Sequence, residues 1–136
     1  MEPDWSALES AARAALPRAY APYSRFPVAA AILFADGRLL AAVNVENAAY
    51  PLGLCAERAG VAAGVAGGHG AVRAVLVLTG ADEPTPPCGG CRQVLAEHGA
   101  PEVPVRSVTL GGRVTEHRLG ELLPDAFGPR ALGRRG

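Results

Sequence analysis

Apolar positions along the chain recur with two different periods. Near 4–18, Trp5, Leu8, Ala12, Ala15 and Leu16 fall at helical spacing and predict an amphipathic helix. Ser6 with Glu9 suits a capping box at its start, and Pro17 ends it. Residues 19–26, with Tyr20, Tyr23 and Phe26 around Pro22, read as a loop. Val28–Phe34 is a nearly unbroken apolar run, the pattern of a buried strand. Asp36-Gly37 carries a hairpin signal, so Leu39–Val45 is the returning antiparallel strand.

A polar, irregular stretch follows, and a helix opens at Cys55 and runs to about Val65. Its Ala- and Gly-rich interior makes it a poor helix by propensity, so packing must hold it. Small side chains allow close approach, in the core or at a subunit contact. Gly67-Gly68 ends it. Ala71–Thr79 predicts a third strand and Gly89–His98 a short helix. Val103–Leu110 and Arg113–Arg118 pair through a turn at Gly111-Gly112, and Arg118–Leu123 is a short helix. The tail from Pro124 reads as extended, with residues 130–136 mobile. Helices interleaved with strands predict a three-layer α/β/α sandwich around a mixed five-stranded sheet. With 136 residues, one domain spanning the chain is expected.

Composition narrows the function. The formal net charge is zero, which argues against a nucleic-acid surface. All 13 basic residues are arginine, so lysine Schiff-base chemistry is excluded. No apolar run is long enough to span a membrane and no secretory signal is evident, so a cytoplasmic protein is expected. His69, His98 and His117 lack ligand spacing and read as surface residues, and Arg130, Arg134 and Arg135 read as a solvated basic tail.

The chemistry gathers at the 3 cysteines. An odd number argues against a disulfide framework, and Cys88-x-x-Cys91 reads as metal or redox. Cys55 joins them at the start of another predicted helix, so two helix N-termini would face one spot and favour thiolates there. Three thiolates hold zinc and leave its fourth position open. Glu57, two positions after Cys55, could move protons for a water activated there, although a carboxylate in a first helical turn is equally a dipole partner. Three thiolates around a divalent ion leave a formal charge of about −1, so a donor such as Arg58 or Arg92 would help by hydrogen-bonding the sulfurs. The ordinary readings are an inert thiol at Cys55, an incidental Cys-x-x-Cys, and two solvated arginines.

Cys55-Ala-Glu-Arg58 followed by Pro87-Cys-Gly-Gly-Cys-Arg-Gln93 resembles the zinc-dependent cytidine deaminases, in their small homotetrameric form. The segments 20–28, 44–58 and 122–129 are also similar to that family, so the likeness covers most of the chain. The resemblance implies one zinc ion held by Cys55, Cys88 and Cys91, activating a water for attack on C4 of cytosine. It implies that Glu57 takes the water's proton, protonates N3 and later protonates the leaving ammonia. By the same resemblance the Ala56 backbone holds the pyrimidine edge, Phe26 packs on the ring, and Asn44 and Glu46 bind the ribose 3′-OH. Without it, Phe26 reads as core, and Asn44 and Glu46 as a loop cap and a solvated charge. Ala48, Tyr50 and Phe127 are expected to reach a neighbouring subunit's site. The family usually has Gly where this chain has Ala29, which raises the question of a tighter pocket.

Three other readings compete. A deaminase of a modified cytosine nucleoside would share the chemistry. A nucleic-acid editing enzyme would want a basic groove and aromatic platforms, which the neutral charge and 5% aromatic content disfavour. A non-catalytic zinc scaffold would have a closed metal site and a dispensable Glu57.

Overall fold

Helix α1 (Trp5–Ala15) opens the computed structural model, which describes residues 2–133. Asp4, not Ser6, caps it, accepting from the Ala7 amide at 3.0 Å. Ser6 lies inside the first turn, and Glu9 pairs with Arg13 one turn on. Pro17 sits in a 3-10 turn over Leu16–Arg18 that closes the helix. Strands β1 (Val28–Phe34) and β2 (Leu39–Val43) form the expected hairpin. The second strand stops at Val43; Val45 makes only isolated bridges, to Tyr20 and Leu54. Then follow α2 (Ala56–Ala66), β3 (Val72–Thr79), α3 (Gly89–His98), β4 (Pro104–Thr109), β5 (Val114–Arg118) and α4 (Leu119–Leu122). The tail from Pro124 is not extended throughout, because Pro129–Leu132 forms a 3-10 turn. Residues 134–136 of the expected mobile tail, with Arg134 and Arg135, lie outside the described residues.

The sheet has the order β2-β1-β3-β4-β5. Only β3 and β4 pair in parallel, so the sheet is mixed. Alternation along the strands sorts the core into two clusters. Ala29, Ala31, Ala74, Leu76, Leu78 and Val108 pack with Trp5, Leu8 and Ala12 of α1. Ile32, Phe34, Val75, Val77 and Val105 pack on the other face with Val61 of α2, Leu95 of α3 and Leu119 of α4. This is the α/β/α sandwich that the apolar pattern predicts.

The small side chains of α2 serve two purposes. A Cβ at Gly64 would lie 2.1 Å from Phe34 Cζ, and one at Gly60 2.8 Å from Ile32 Cδ1. The helix backbone therefore lies directly on β1. Ala62, Ala63, Val65 and Ala66 face outward and are exposed.

His69 is not a free surface histidine. Its Nδ1 meets Asp36 Oδ2 at 2.7 Å, which ties the β1–β2 turn to the loop after α2. At the other end of the sheet the topology assembles a cleft. Both β2 and β3 run antiparallel to β1. Their C-terminal ends therefore lie beside the N-terminal end of β1, and the segments that follow them enter α2 and α3 there. Ligand clefts commonly form outside the carboxyl ends of strands for this reason.

Candidate active site and metal centre

Each helix at this end begins on a cysteine. Cys55 is the N-cap of α2 and Cys88 that of α3, both with extended backbone. The carbonyls of both already accept the first helical bonds, from Ala59 and Arg92 at 3.0 Å. The first-turn amides are left facing the sulfurs, where helix N-termini favour negative charge. Cys91, one turn into α3, is fully buried.

The three sulfurs lie within 4.8 Å of one another. Cys55 and Cys88 are 3.9 Å apart, and Cys88 and Cys91 3.4 Å. A tetrahedral ion with zinc–sulfur bonds of about 2.3 Å needs sulfurs about 3.8 Å apart, so the set fits zinc. Burial pushes the Cys55 and Cys91 thiols up, and crowding by neighbouring acidic groups adds to it. Burial also acts on Cys88, but the Cys91 amide and the two neighbouring thiols outweigh it and hold that group down. Coordination to a divalent cation deprotonates thiols outright, so the buried set is costly as free thiolates and favourable as ligands. The three cysteines form one zinc-binding site. Among the described residues, no fourth His, Cys, Asp or Glu joins the set.

Glu57 lies in the first turn of α2 and is 5% exposed. Burial raises its pKa above the usual carboxylate range, against opposing contributions from its own backbone, Cys91 and Arg58. It lines the same cleft as the three cysteines without joining the ligand set.

That cleft has a volume of about 270 Å³ and also contains Phe26, Asn44, Glu46 and Ala56. These four and Glu57 are the nucleoside-facing residues expected from the sequence, and the fold brings them together from the loop before β1, the loop after β2 and the start of α2. Asn44 and Glu46 also build the wall. Asn44 Oδ1 accepts from the Val28 amide and its Nδ2 donates to the Phe26 carbonyl, each at 3.0 Å. Glu46 accepts from the Tyr23 and Ser24 amides at 3.0 and 3.1 Å and from the Ser24 hydroxyl. Those bonds, Ser24 first, hold its carboxyl below the usual carboxylate range.

Ala48, Tyr50 and Phe127, expected to reach a neighbouring subunit's site, lie outside this chain's own cleft; Tyr50 is 76% and Phe127 62% exposed. Tyr50 instead meets Tyr23 edge to face, with centroids 6.2 Å apart. Arg92 does not donate to a sulfur. Its Nε reaches the Pro87 carbonyl at 2.7 Å and its Nη1 the Leu122 carbonyl at 3.0 Å. Arg58 Nη2 donates to the Gly53 carbonyl at 2.9 Å, while its Nε is buried without an acceptor. Ala29 does not narrow the pocket. Its methyl packs with Trp5 and Leu8 on the face away from the cleft, while Val28 lines it.

Sequence reasoning missed Ser24, Val28, Val77, Thr85 and Pro86, which complete the wall. The strand period could have placed Val28 and Val77 on the α2 face. Nothing local marks Thr85 and Pro86, which sit in an irregular loop before Cys88.

The model of the cytidine and deoxycytidylate deaminase zinc-binding region matches residues 2–107. A cytidine deaminase of Mycobacterium tuberculosis is 47% identical over 131 residues, covering 96% of this chain and 95% of that protein. One from Sporosarcina psychrophila is 41% identical over 115 residues, covering 85% of each. The crystal structure of a cytidine deaminase from Burkholderia pseudomallei superposes with a TM-score of 0.85 at 44% identity, covering 90% of this chain and 98% of that one. The matched region contains all three metal ligands and Glu57, and the chain belongs to the cytidine and deoxycytidylate deaminase family.

Proposed function

We propose that this protein hydrolyses cytidine and deoxycytidine to uridine and deoxyuridine plus ammonia, as part of pyrimidine salvage. One observation carries this reading: a three-cysteine zinc site and a buried, non-ligating carboxylate share the floor of one nucleoside-sized cleft. Bound zinc would supply a Lewis acid that makes a water nucleophilic near neutral pH. Glu57 accepts the proton of that water as its oxygen bonds to C4 of cytosine, and passes a proton to N3. It then takes the proton of the new C4 hydroxyl and delivers it to the amino group, which leaves C4 as ammonia as the carbonyl forms. A carboxyl with its pKa raised by burial suits a group that both takes and gives protons. The Ala56 backbone holds the pyrimidine edge and Phe26 covers the ring. Asn44 and Glu46, already fixed to the chain, present their remaining hydrogen-bonding capacity to the 3′-OH.

Among the described residues lining the cleft none is basic, and two are acidic. That favours an uncharged nucleoside over a phosphorylated nucleotide. The exposed Tyr50, Leu52 and Phe127 support a homotetramer, with Ala48, Tyr50 and Phe127 closing a neighbour's cleft. No described helix is long and apolar enough to cross a membrane, and we place the enzyme in the cytoplasm.

The test is ultraviolet absorbance of cytidine incubated with zinc-loaded protein, alongside Glu57→Gln. Wild type should convert cytidine to uridine. Glu57→Gln should keep its zinc and lose roughly 10²–10⁴-fold in kcat, the usual worth of a placed proton-transfer group. A near-normal rate in Glu57→Gln would remove the proton-transfer role, and an inactive zinc-loaded wild type would remove the substrate assignment.

A further inference from the structure

Two residues directly after the ligand Cys91 reach the C-terminal segment. Arg92 Nη1 donates to the carbonyl of Leu122, the last residue of α4. Gln93 Nε2 donates to the carbonyl of Phe127 at 2.7 Å. Between these two points the chain has little else to hold it. Among the described residues, no backbone–backbone hydrogen bond involves residues 124–127. Asp125 has φ of 49°, the left-handed region that few non-glycine residues adopt and that aspartate tolerates in turns. That turn lies between the two anchors, so the α3 side chains bracket the bend.

From this we infer that Gln93 is a positioning residue, which holds Phe127 on the surface of its own subunit where it closes the cleft of a neighbour. The inference rests on the reading of Phe127 given above. The geometry supplies the physical reason for such a residue. Phe127 is mostly exposed, so packing within its own subunit does not fix its ring. An unanchored segment would sample many positions and lower the population competent to close a cleft. One amide bond from a rigid helix removes much of that freedom. Its donor sits two residues from a metal ligand, so the elements that fix the zinc site also fix the tail of the same subunit.

The test is a double-mutant cycle on the zinc-loaded full chain with Gln93→Ala, Phe127→Ala and both together. Net hydrogen bonds of this kind correspond to roughly two- to tenfold in an equilibrium constant. Gln93→Ala should raise the KM for cytidine by about that factor, with the loss in KM rather than kcat and the zinc content unchanged. Hydrogen exchange at the Ala131 amide, which donates to the Gly128 carbonyl, should become faster. Gln93→Glu keeps the shape but has no amide donor, and should behave like Gln93→Ala. The double variant should be no worse than Phe127→Ala alone, because Gln93 acts through Phe127. A wild-type KM in Gln93→Ala or Gln93→Glu, with Phe127→Ala impaired, overturns the inference, as does unchanged exchange or a fully additive double variant. A wild-type KM in Phe127→Ala overturns the reading of Phe127 itself, and the inference with it.

Discussion

Asn44 is tied to the chain before any ligand arrives. Its side chain bonds the backbone on both sides of Pro27, at the Phe26 carbonyl and the Val28 amide, so it fixes the main chain that carries Phe26. Asn44→Ala would leave a part-buried Val28 amide without this acceptor, at a cost of about 1–3 kcal/mol. A lower Tm together with a higher KM is expected, since wall and pocket depend on the same bonds. Glu46 works similarly on Tyr23 and Ser24, and its charge is what those bonds recognise. Its folded pKa lies below the ordinary 4.5, so its contribution is fully present above that pH. The contribution is lost as pH falls through the folded value. Thermal stability should therefore decline in that acid range, and Glu46→Gln should flatten the decline. Asp36 acts in the same direction, held low first by the Arg38 amide and then by His69. Ala29 carries the opposite lesson: a substitution beside a pocket in sequence points to the far face of the strand in space.

Helices α2 and α3 do their chemistry at their first residues. Cysteines as N-caps put the ligands where amides and dipole favour thiolate, without a separate capping side chain. Any one of Cys55→Ala, Cys88→Ala or Cys91→Ala should abolish stoichiometric zinc binding, measured by metal analysis, along with activity. The rest of α2 is shaped by contact rather than propensity. Gly64→Ala gains up to about 1 kcal/mol of helix propensity. It also drives a methyl into the Phe34 ring, and overpacking of that kind costs about 1–3 kcal/mol. The steric cost should win, and the variant should melt earlier than wild type.

For the molecule as a whole, direction of travel matters most. Because β2 and β3 both run against β1, residues far apart in sequence, such as Phe26, Asn44, Cys55 and Cys88, meet at one end of the sheet. The cleft is bounded by the sheet and by two helix starts, while Tyr50 and Phe127 stand exposed outside its lining. With the outward Ala62, Ala63, Val65 and Ala66 of α2, these surfaces suit further copies of the chain. Light scattering should give about four times the 13.9 kDa chain mass. A monomer with full activity would refute shared sites.

Apolar runs, turn signals and, for α1, helical spacing were enough to locate every described strand and the longer helices, because core-facing segments must be apolar and the chain must turn between them. The metal ligands were legible too, since zinc chemistry restricts ligand types and short spacings, whereas Glu57 is ambiguous by position and is singled out only by the family resemblance. Local pattern could not reveal which face Ala29 occupies, that Arg92 serves carbonyls rather than sulfurs, or that Asp4 and not Ser6 caps α1. Each of these depends on which of several equally available partners the folded chain brings within hydrogen-bonding or van der Waals reach. The same holds for Thr85 and Pro86 in the cleft wall, and for the bond from Gln93 to Phe127 across 34 positions. Contacts of that separation leave no period in the sequence, because they are made only after the sheet has set the distances between its loops.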